Sequence, residues 1–546
     1  MKLNKFVYII VALLALSVRF YQLSQAPVFN DELDVGNQAY SLLKTAKDYS
    51  GNFLPTYIQS FEENRAPLLM YISIPAIKLF GLNIFSLKLT SIVLSFLVAF
   101  YFYKTVSLFN KSIAPIATSL LLLTPYFTHY NRNAFEVTLL LFLTVSATFY
   151  YLKYCQNHTN INLYLSVILF GLTFYTYNTS NVFTPLLVIY LLISNKQILK
   201  KINMKTLSIA ILLAILLLSP IIGQIKSGQA SARFSQISIF ADGQTLKEII
   251  EKRTLFPQSS STINRLVYNR PVYYLKNFLN NYLQALSLNT LFVTGDPNPR
   301  HTPPDSGLFP YIYAPLLILG ILLSLKTNKK GSLLFLVWFL IAPIASCLTQ
   351  SGGVHATRLS YLIIPVVYFV SLGLYRIKST IFKLALIVLL IANLSSWYYQ
   401  YFTHYPSEQY KYWHNLYLQT LQNIPANYNN LYISDTDYVN LKPFVFVKKI
   451  DPINLQNNFS NQAISLKNDL TGFALNNNNF VSNWQQLDVL DKVQTIGQPG
   501  DVFVLYQKND IPGDYDLTQN PLENFTTIKT IRDPNNLIFS QIIKHD

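Results

Sequence analysis

The chain has 546 residues and a formal net charge of +16, and only 12% of its residues are charged while 14% are aromatic. Ordinary globular proteins carry about 25% charged residues, so this composition excludes a chain built only of soluble domains. Many apolar runs reach the roughly 20 residues that a spanning helix needs. We therefore expect a polytopic α-helical membrane protein.

The charge is distributed unevenly along the chain. Residues 398–546 contain 10 Lys/Arg and 14 Asp/Glu, a net charge of −4, whereas residues 1–397 have a net charge of +20. The basic excess falls in short loops between apolar runs, where Lys and Arg mark the cytoplasmic side. This placement argues against nucleic-acid binding. It predicts a cytoplasmic amino terminus and an extracytoplasmic C-terminal region.

Eleven membrane spans are predicted, at residues 6–23, 84–107, 113–129, 134–152, 162–178, 181–194, 205–223, 309–325, 331–349, 358–375 and 380–397. The first could pass for a signal peptide, but Arg19 interrupts it and we favour an uncleaved helix. Residues 1–397 would form a membrane domain with outer loops at 24–83 and 224–308. Within the first loop, residues 35–47 and 67–80 are predicted to form helices at the membrane interface, because they are amphipathic or too short to cross.

Residues 398–546 are predicted to form a small soluble α/β domain outside the membrane. Stretches at 431–434, 443–447 and 501–505 are typical of buried strands, and the polar run 476–479 suggests a loop. The two cysteines, Cys155 and Cys347, are expected at different depths, so no disulfide is predicted.

Asp31 and Glu32 follow the first span directly and are the leading candidates for chemistry. Most loop carboxylates are merely solvated. An acid held at the membrane edge, however, can take a proton from a hydroxyl brought to the lipid surface. Arg65 closes the same loop, either as a cation among lipid headgroups or as a group that binds a lipid phosphate with two hydrogen bonds.

Two later segments supply further charged candidates on the outer side. Arg132 and Glu136 lie four residues apart at the start of a span, so they form either a local ion pair or a binding site for hydroxyl groups. Residues 351–358 read Ser-Gly-Gly-Val-His-Ala-Thr-Arg. His355 and Arg358 there could hold a phosphate at a helix amino terminus, or the glycines could simply turn the chain.

The second outer loop ends in a turn-rich segment with Asp296, Arg300 and His301. Acids suited to act as a base and cations suited to bind phosphate thus gather on one side of the membrane. A sugar leaving from a lipid phosphate needs this combination, since phosphate is a good leaving group that cations can stabilise. A glycosidase would need two cooperating carboxyl groups.

At these residues the chain resembles the glycosyltransferase family of protein O-mannosyltransferases and bacterial aminoarabinose transferases, whose membrane fold is called GT-C. Asp31-Glu32 matches the acidic motif of the first outer loop. Arg65-Ala66-Pro67-Leu68 matches a Lys-Pro-Pro-Leu-like segment, with Arg for Lys and Ala for the first Pro. Lys88 stands where the family usually has Arg. Arg132 to Glu136 resembles the family's Arg-x-x-x-acid segment. His355 to Pro365 resembles a later Arg-containing segment of the family that enters a span.

The resemblance implies a GT-C fold of about eleven transmembrane helices and an inverting transfer of sugar from a polyprenyl-phosphate donor. Asp31 would act as the base and Glu32 would orient it. Cations would bind the donor phosphate, namely Arg65, Arg300, His301, His355 and Arg358. Arg132, Glu136 and Asp296 would bind the acceptor or the sugar.

Several questions stay open in the sequence. The acceptor could be a lipid, a glycan or a protein, and a divalent metal near the acids is neither required nor excluded. A multi-pass transporter is the main alternative, but transporters place ionisable groups near the midplane, and these spans carry almost none there. A lipid-linked polysaccharide polymerase or ligase is a third candidate.

Overall fold

The computed structural model describes residues 5–60, 64–226, 232–255, 261–327, 330–435, 439–458, 464–465, 470–482, 489–507, 510–511 and 515–546. Its contacts divide the chain into two compact units. The first unit comprises Met1–Tyr21 and Ser91–Gln400, and the second comprises Gln22–Thr90 and Tyr401–Asp546. The second unit therefore joins the segment predicted as the first outer loop to the C-terminal region.

Apolar helices dominate the first unit, and one occupies each of the eleven segments predicted to span the membrane. Among the residues that the structure describes, seven helices are long and apolar enough to cross a bilayer: Phe6–Gln25, Ile84–Ser107, Val137–Asn157, Met204–Gly223, Lys330–Cys347, Ala356–Arg376 and Thr380–Thr403. The segments 113–129, 162–178, 181–194 and 309–325 hold shorter apolar helices. The polytopic helical fold is confirmed.

Prolines explain where predicted spans are divided. Thr124 has an extended backbone (φ −66°, ψ 123°) because the residue before a proline disfavours the helical region, and Pro125 begins a new helix. The segment 113–129 is therefore two helices. The other helices of this unit are Ala114–Leu123, Pro125–Asn131, Asn160–Thr173, Ser180–Ser194, Lys196–Leu199, Ala232–Ile237, Asp242–Leu255, Ser261–Val267, Arg270–Ala285 and Tyr313–Thr327, with a π-helix at Asn289–Val293.

In the second unit the first outer loop forms two helices, Asn30–Thr45 and Leu68–Phe80, and a short antiparallel pair of strands, β1 (Ile58–Gln59) and β2 (Asn64–Arg65). Helix Asn30–Thr45 begins earlier than expected and is buried on nearly all sides. It packs against Leu68–Phe80 and against helix Leu441–Lys448, whose Lys442 carbonyl accepts a hydrogen bond of 2.8 Å from Asn37. This helix is thus part of a protein core.

The C-terminal region contains a seven-stranded mixed sheet within the described residues, in the order β4-β5-β6-β3-β7-β9-β8. The strands are β3 (Leu431–Ser434), β4 (Ile464–Ser465), β5 (Thr471–Leu475), β6 (Asn478–Val481), β7 (Val502–Tyr506), β8 (Phe525–Arg532) and β9 (Ile538–His545). β3 is parallel to both β6 and β7, and the remaining pairs are antiparallel. The α/β character is confirmed.

Each face of this sheet supports a hydrophobic core. Leu431, Ile433, Val502 and Val504 pack on one face, and Phe503 and other alternate residues pack on the opposite face. The helices of the second unit's C-terminal region are Tyr405–Glu408, Asn415–Gln422, Leu441–Lys448, Pro452–Asn458 and Val489–Ile496. Because both faces are covered, the central strands read as continuous apolar runs.

Two predictions for this region are wrong. Residues 443–447 are helical, since the Asp435 carboxylate accepts hydrogen bonds from the N–H groups of Asn440 and Leu441 at the helix start. The polar run 476–479 is a hairpin, in which only Asn476 and Asn477 form the turn and Asn478 begins β6. Asn476 has φ +55°, a conformation that asparagine tolerates better than most residues. Cys155 and Cys347 are free thiols, as expected.

Candidate active site

The start of helix Asn30–Thr45 positions the acidic pair. Phe29 precedes the helix with an extended backbone (φ −105°, ψ 156°), and its N–H donates a hydrogen bond of 3.0 Å to Oε1 of Glu32. This contact satisfies the backbone N–H of the residue that precedes the helix. A Glu at the third helical position plays this part in a capping box. Asp31 and Glu32 both lie in the first turn, where the helix dipole favours negative charge.

Asp31 is paired with Arg65. Arg65 Nη2 lies 2.6 Å from Asp31 Oδ1, and Arg65 Nη1 donates a 3.4 Å hydrogen bond to the Asp31 carbonyl oxygen. The Asp31 side chain is 40% exposed whereas Arg65 is 8% exposed. Pairing of Arg65 with Ile58 in the β1–β2 ladder fixes its backbone. An accessible carboxylate is thus held by a largely buried guanidinium.

Asp34 is a third acid in this cluster, and the sequence analysis did not identify it. It is fully buried, and its Oδ2 lies 3.7 Å from Arg65 Nε. Neither of its carboxylate oxygens has a hydrogen-bond partner in the described structure. The spacing of three residues from Asp31 on a helix could have suggested that the two carboxylates share a face.

Glu32 has a different environment from Asp31. Its Oε2 lies 3.2 Å from Lys88 Nζ, and both side chains are fully buried. Lys88 Nζ also donates a 2.7 Å hydrogen bond to the carbonyl oxygen of Pro27. Glu32 therefore ties the helix start to Lys88, which favours a structural contribution over contact with a substrate.

Arg132 is buried and its guanidinium binds the end of the first helix. Nη1 donates hydrogen bonds to the carbonyl oxygens of Val18 (2.6 Å) and Arg19 (2.9 Å), and Nη2 donates to that of Tyr21 (2.9 Å). Carbonyl groups at a helix end have no partner within the helix, and cations there are stabilising. Glu136 precedes helix Val137–Asn157 and is partly buried.

The end of the segment predicted as the second outer loop folds around Asp296. Its Oδ1 accepts a hydrogen bond of 2.8 Å from Asn298 N–H, and its Oδ2 lies 2.7 Å from His301 Nδ1. Gly295 begins this turn with φ +64°, and a Cβ there would lie 2.4 Å from the Ser306 carbonyl oxygen, so only glycine fits. The Arg300 carbonyl oxygen accepts a hydrogen bond of 2.8 Å from His129 Nε2.

The segment around His355 meets the same carboxylate. Ala356 N–H donates a 2.8 Å hydrogen bond to Asp296 Oδ2, so the helix start expected to receive a phosphate is occupied by an acid of the chain itself. The His355 and His301 rings are 4.6 Å apart and inclined by 30°. Arg358 Nη1 donates a 2.6 Å hydrogen bond to Thr349 Oγ1.

Burial and charge shift two pKa values in this group. Burial raises the pKa of Asp296, but the hydrogen bond and charge of His301 and the N–H groups of Asn298 and Ala356 outweigh it and lower the pKa below its ordinary value. Burial and the positive charges of Arg358 and His301 lower the pKa of His355 to about 3. At neutral pH His355 is therefore uncharged and binds as a neutral imidazole.

The predicted site residues thus form two clusters. The carboxylate–arginine cluster of the second unit contains Asp31, Asp34 and Arg65, beside the Glu32–Lys88 pair. The histidine cluster of the first unit contains Asp296, Arg300, His301 and His355. A cavity of about 150 Å³ lies elsewhere in the first unit, lined by residues such as Phe292 and Trp397 and by no predicted site residue.

Each cluster has its own chemical capacity. The first combines an exposed carboxylate that can accept a proton with a guanidinium that can bind two phosphate oxygens. The second offers carboxylate and imidazole groups, which are ligands for transition metals as well as hydrogen-bond partners. Ligand atoms of Asp296, His301 and His355 all lie within 4.8 Å of one another.

Comparison with known proteins gives a family match for part of the chain and a shared fold. Residues 64–223 match the sequence profile of the family described as dolichyl-phosphate-mannose-protein mannosyltransferase. No curated protein sequence matches the chain. A crystal structure of ArnT from Cupriavidus metallidurans bound to undecaprenyl phosphate is similar, with a TM-score of 0.57, 11% identity and 98% coverage of both chains.

Two other solved structures are less similar. The oligosaccharyltransferase AglB from Archaeoglobus fulgidus, in complex with an inhibitory peptide and a dolichol-phosphate, gives a TM-score of 0.45 and 14% identity over 81% of this chain and 63% of that one. The mycobacterial arabinofuranosyltransferase AftD gives a TM-score of 0.40 and 12% identity over 100% of this chain and 40% of that one. The likeness to ArnT and the family profile confirm the resemblance drawn from the motifs, and the fold is GT-C.

Proposed function

We propose that this chain, a membrane protein of the GT-C glycosyltransferase fold, moves a sugar from a polyprenyl-phosphate donor to an acceptor on the extracytoplasmic face. Three kinds of evidence support the proposal. They are the family profile over residues 64–223, the fold shared with a structure that binds undecaprenyl phosphate, and the contact between Asp31 and Arg65. The last of these carries the argument.

The Asp31–Arg65 contact places the two groups that the reaction needs side by side. A base must be reached by the acceptor, and Asp31 is the exposed member of its cluster, while Glu32 and Asp34 are fully buried. A guanidinium next to it can bind the charged phosphate that leaves. With its charge compensated by a phosphate, Arg65 would release Asp31 to accept a proton.

The proposed reaction is a single inverting displacement. The acceptor oxygen attacks the anomeric carbon of the sugar, and the bond from that carbon to the phosphate oxygen breaks. The bonding electrons leave with the polyprenyl phosphate, and the acceptor proton passes to the Asp31 carboxylate. Arg65 stabilises the leaving phosphate.

The remaining predicted residues receive narrower assignments. His355 contributes a neutral imidazole, since its pKa is about 3. Glu136 is retained as a ligand for acceptor or sugar hydroxyls. Arg132 and Glu32 are assigned to the architecture, because one binds three backbone carbonyl groups and the other binds Lys88 and the helix start.

A transfer assay tests the proposal. Purified protein is incubated with radiolabelled polyprenyl-phosphate sugars and membrane extract as a source of acceptors, in parallel with Asp31→Asn. We expect transfer by the wild type and a loss of at least about 100-fold in Asp31→Asn, the magnitude of general-base catalysis. Asp491→Asn, which changes an exposed acid in the first turn of a C-terminal helix, is the matched control and should keep full activity.

The alternatives give different results in the same experiment. Full activity of Asp31→Asn would remove this residue as the base. Movement of the labelled lipid across vesicles without any transfer would favour a transporter. Extension of a labelled glycan chain by repeated units would favour a polysaccharide polymerase.

A further inference from the structure

We propose that Asp296, His301 and His355 form a binding site for a divalent transition-metal ion of the Zn²⁺ type. One carboxylate oxygen and one imidazole nitrogen from each histidine lie within 4.8 Å of one another. His301 Nδ1 and Asp296 Oδ2 are 2.7 Å apart, and the two imidazole rings lie 4.6 Å from each other. Small rotations of these side chains bring the three atoms around one ion.

The ligand set selects the kind of metal. Two imidazole nitrogens and one carboxylate oxygen suit Zn²⁺ and its neighbours, whereas Ca²⁺ and Mg²⁺ prefer oxygen ligands. Zn–N and Zn–O bonds of about 2.0–2.2 Å place tetrahedral ligand atoms roughly 3.3 Å apart. Three protein ligands leave one position of a tetrahedral ion open, which is typical of sites that bind a substrate or water.

His355 supplies an independent observation. Its Nδ1 atom is inaccessible to solvent and has no hydrogen-bond partner in the described structure. A buried nitrogen without a partner costs about 1–3 kcal/mol, so such atoms are rare unless a ligand or ion satisfies them. The nitrogen belongs to the ring whose centroid lies 4.6 Å from that of His301.

Backbone N–H groups already fix the orientation of the Asp296 carboxylate, as they do for carboxylates that bind metals. Asn298 N–H donates to Oδ1 of Asp296 and Ala356 N–H donates to its Oδ2. Such contacts orient ligating carboxylates and raise metal affinity. Oδ1 accepts this one hydrogen bond and keeps a further lone pair for an ion.

The surroundings indicate what the open position would take. Arg300 Nη2 lies 3.5 Å from His301 Nε2, so a guanidinium stands beside the ligands. A metal ion with a neighbouring guanidinium is suited to an anion with several oxygens, such as a phosphate. Assigning this anion to the donor phosphate rests on the proposed function, whereas the metal site itself does not.

The test measures metal directly in the full-length protein. Protein purified without chelator is analysed for metal by mass spectrometry, and stripped protein is titrated with Zn²⁺ and with Co²⁺, whose visible absorption reports coordination. We expect about one ion per chain and Co²⁺ bands of a four-coordinate site. His355→Gln and Asp296→Asn should each lower the affinity at least about 10-fold. His355→Gln removes a nitrogen without a hydrogen bond, so the variant should fold.

His404→Gln is the matched control, because His404 is half exposed and lies outside the cluster. Its affinity for Zn²⁺ should equal that of the wild type. Wild-type protein that binds neither ion, or His355→Gln with unchanged affinity, would overturn the metal site. Metal bound at this site in a protein that transfers no sugar would leave the site standing and reject the proposed function. Sugar transfer by protein shown to bind no metal would reject the metal site and leave the proposed function standing.

Discussion

Around Asp31 the acids are paired with the basic side chains of Arg65 and Lys88, whereas around Asp296 the partners are imidazoles and two backbone N–H groups. Guanidinium and ammonium groups form hydrogen-bonded pairs with carboxylates and phosphates. Imidazole nitrogens can bind a metal ion as well. The first cluster is therefore suited to pairing with anions, and the second can also coordinate a metal.

The same comparison separates the acid proposed as the base from the buried acids. Within the carboxylate–arginine cluster, exposure differs from one acid to the next, since Asp31 is 40% exposed and Glu32 and Asp34 are fully buried. A buried acid with a buried cation is a packing element, because removing either partner leaves an uncompensated charge. Substitutions at Arg65, Glu32 and Arg132 test how far this distinction holds.

The largest effect is expected from Arg65→Ala. Asp34 would stay buried without its cation, which typically costs about 3–5 kcal/mol in the free energy of unfolding. Transfer should fall at least about 100-fold, since the phosphate loses its guanidinium. Unfolding by denaturant in detergent and the radiolabel assay measure the two effects separately.

A second substitution distinguishes the two roles of Arg65. Asp34→Asn in the Arg65→Ala background removes the stranded charge, so it should recover most of the lost stability and none of the transfer. Arg532→Ala is the control, because the Arg532–Asp516 pair is partly exposed and should contribute less than about 1 kcal/mol. Equal stability of Arg65→Ala and wild type would contradict the pairing.

Glu32→Gln should destabilise the protein by about 2–4 kcal/mol, since Lys88 would remain buried without an acid partner. Activity per folded molecule should fall less than about 10-fold. Adding Lys88→Met should restore part of the stability. A loss of transfer as large as that of Asp31→Asn, at unchanged folding, would instead make Glu32 part of the reaction.

Arg132→Gln should lower the free energy of unfolding by about 2–3 kcal/mol, because three backbone carbonyl groups lose a charged donor. Arg132→Lys should recover some of this, since lysine keeps the charge but cannot reach all three acceptors. Transfer per folded molecule should stay near that of the wild type in both variants. A selective loss of transfer would return Arg132 to the binding site.

Much of the fold could be predicted because membrane spans depend on length and hydrophobicity, which are local properties of the sequence. An apolar helix therefore lies in every predicted segment. The prediction of a strand at 443–447 was wrong because a buried apolar stretch of this length suits either a strand or a helix. The deciding contact, from Asp435 to two N–H groups, joins residues whose pairing no periodicity reveals.

The site was predictable to the extent that it follows one segment of the chain. Asp31 and Arg65 share a loop, and the motifs pointed to each of them separately, whereas their direct contact is seen only in the structure. Asp34 was missed because a buried acid three residues further along carries no signal of its own. The occupation of Ala356 N–H by Asp296 was also beyond reach, since these residues are 60 positions apart and meet only in the folded chain.

Asp510 bears on the pH dependence of stability alone and extends the comparison to a buried acid with neutral hydrogen-bond donors. Ser434 Oγ and Tyr506 N–H donate to its carboxylate at 2.7 Å, but burial outweighs them and raises its pKa to about 6. The folded state therefore keeps this proton to a higher pH than the unfolded state. The stabilising contribution is complete below pH about 4 and is lost as the pH rises through 6, by about 3 kcal/mol in total.

Hydrogen exchange of the β7 amides between pH 4 and 7 should show this slope in the wild type and not in Asp510→Asn. Asp516→Asn is the control, because the pKa of Asp516 is lowered and its contribution runs the opposite way, being lost as the pH falls. A slope that persists in Asp510→Asn would assign the pH dependence to another group.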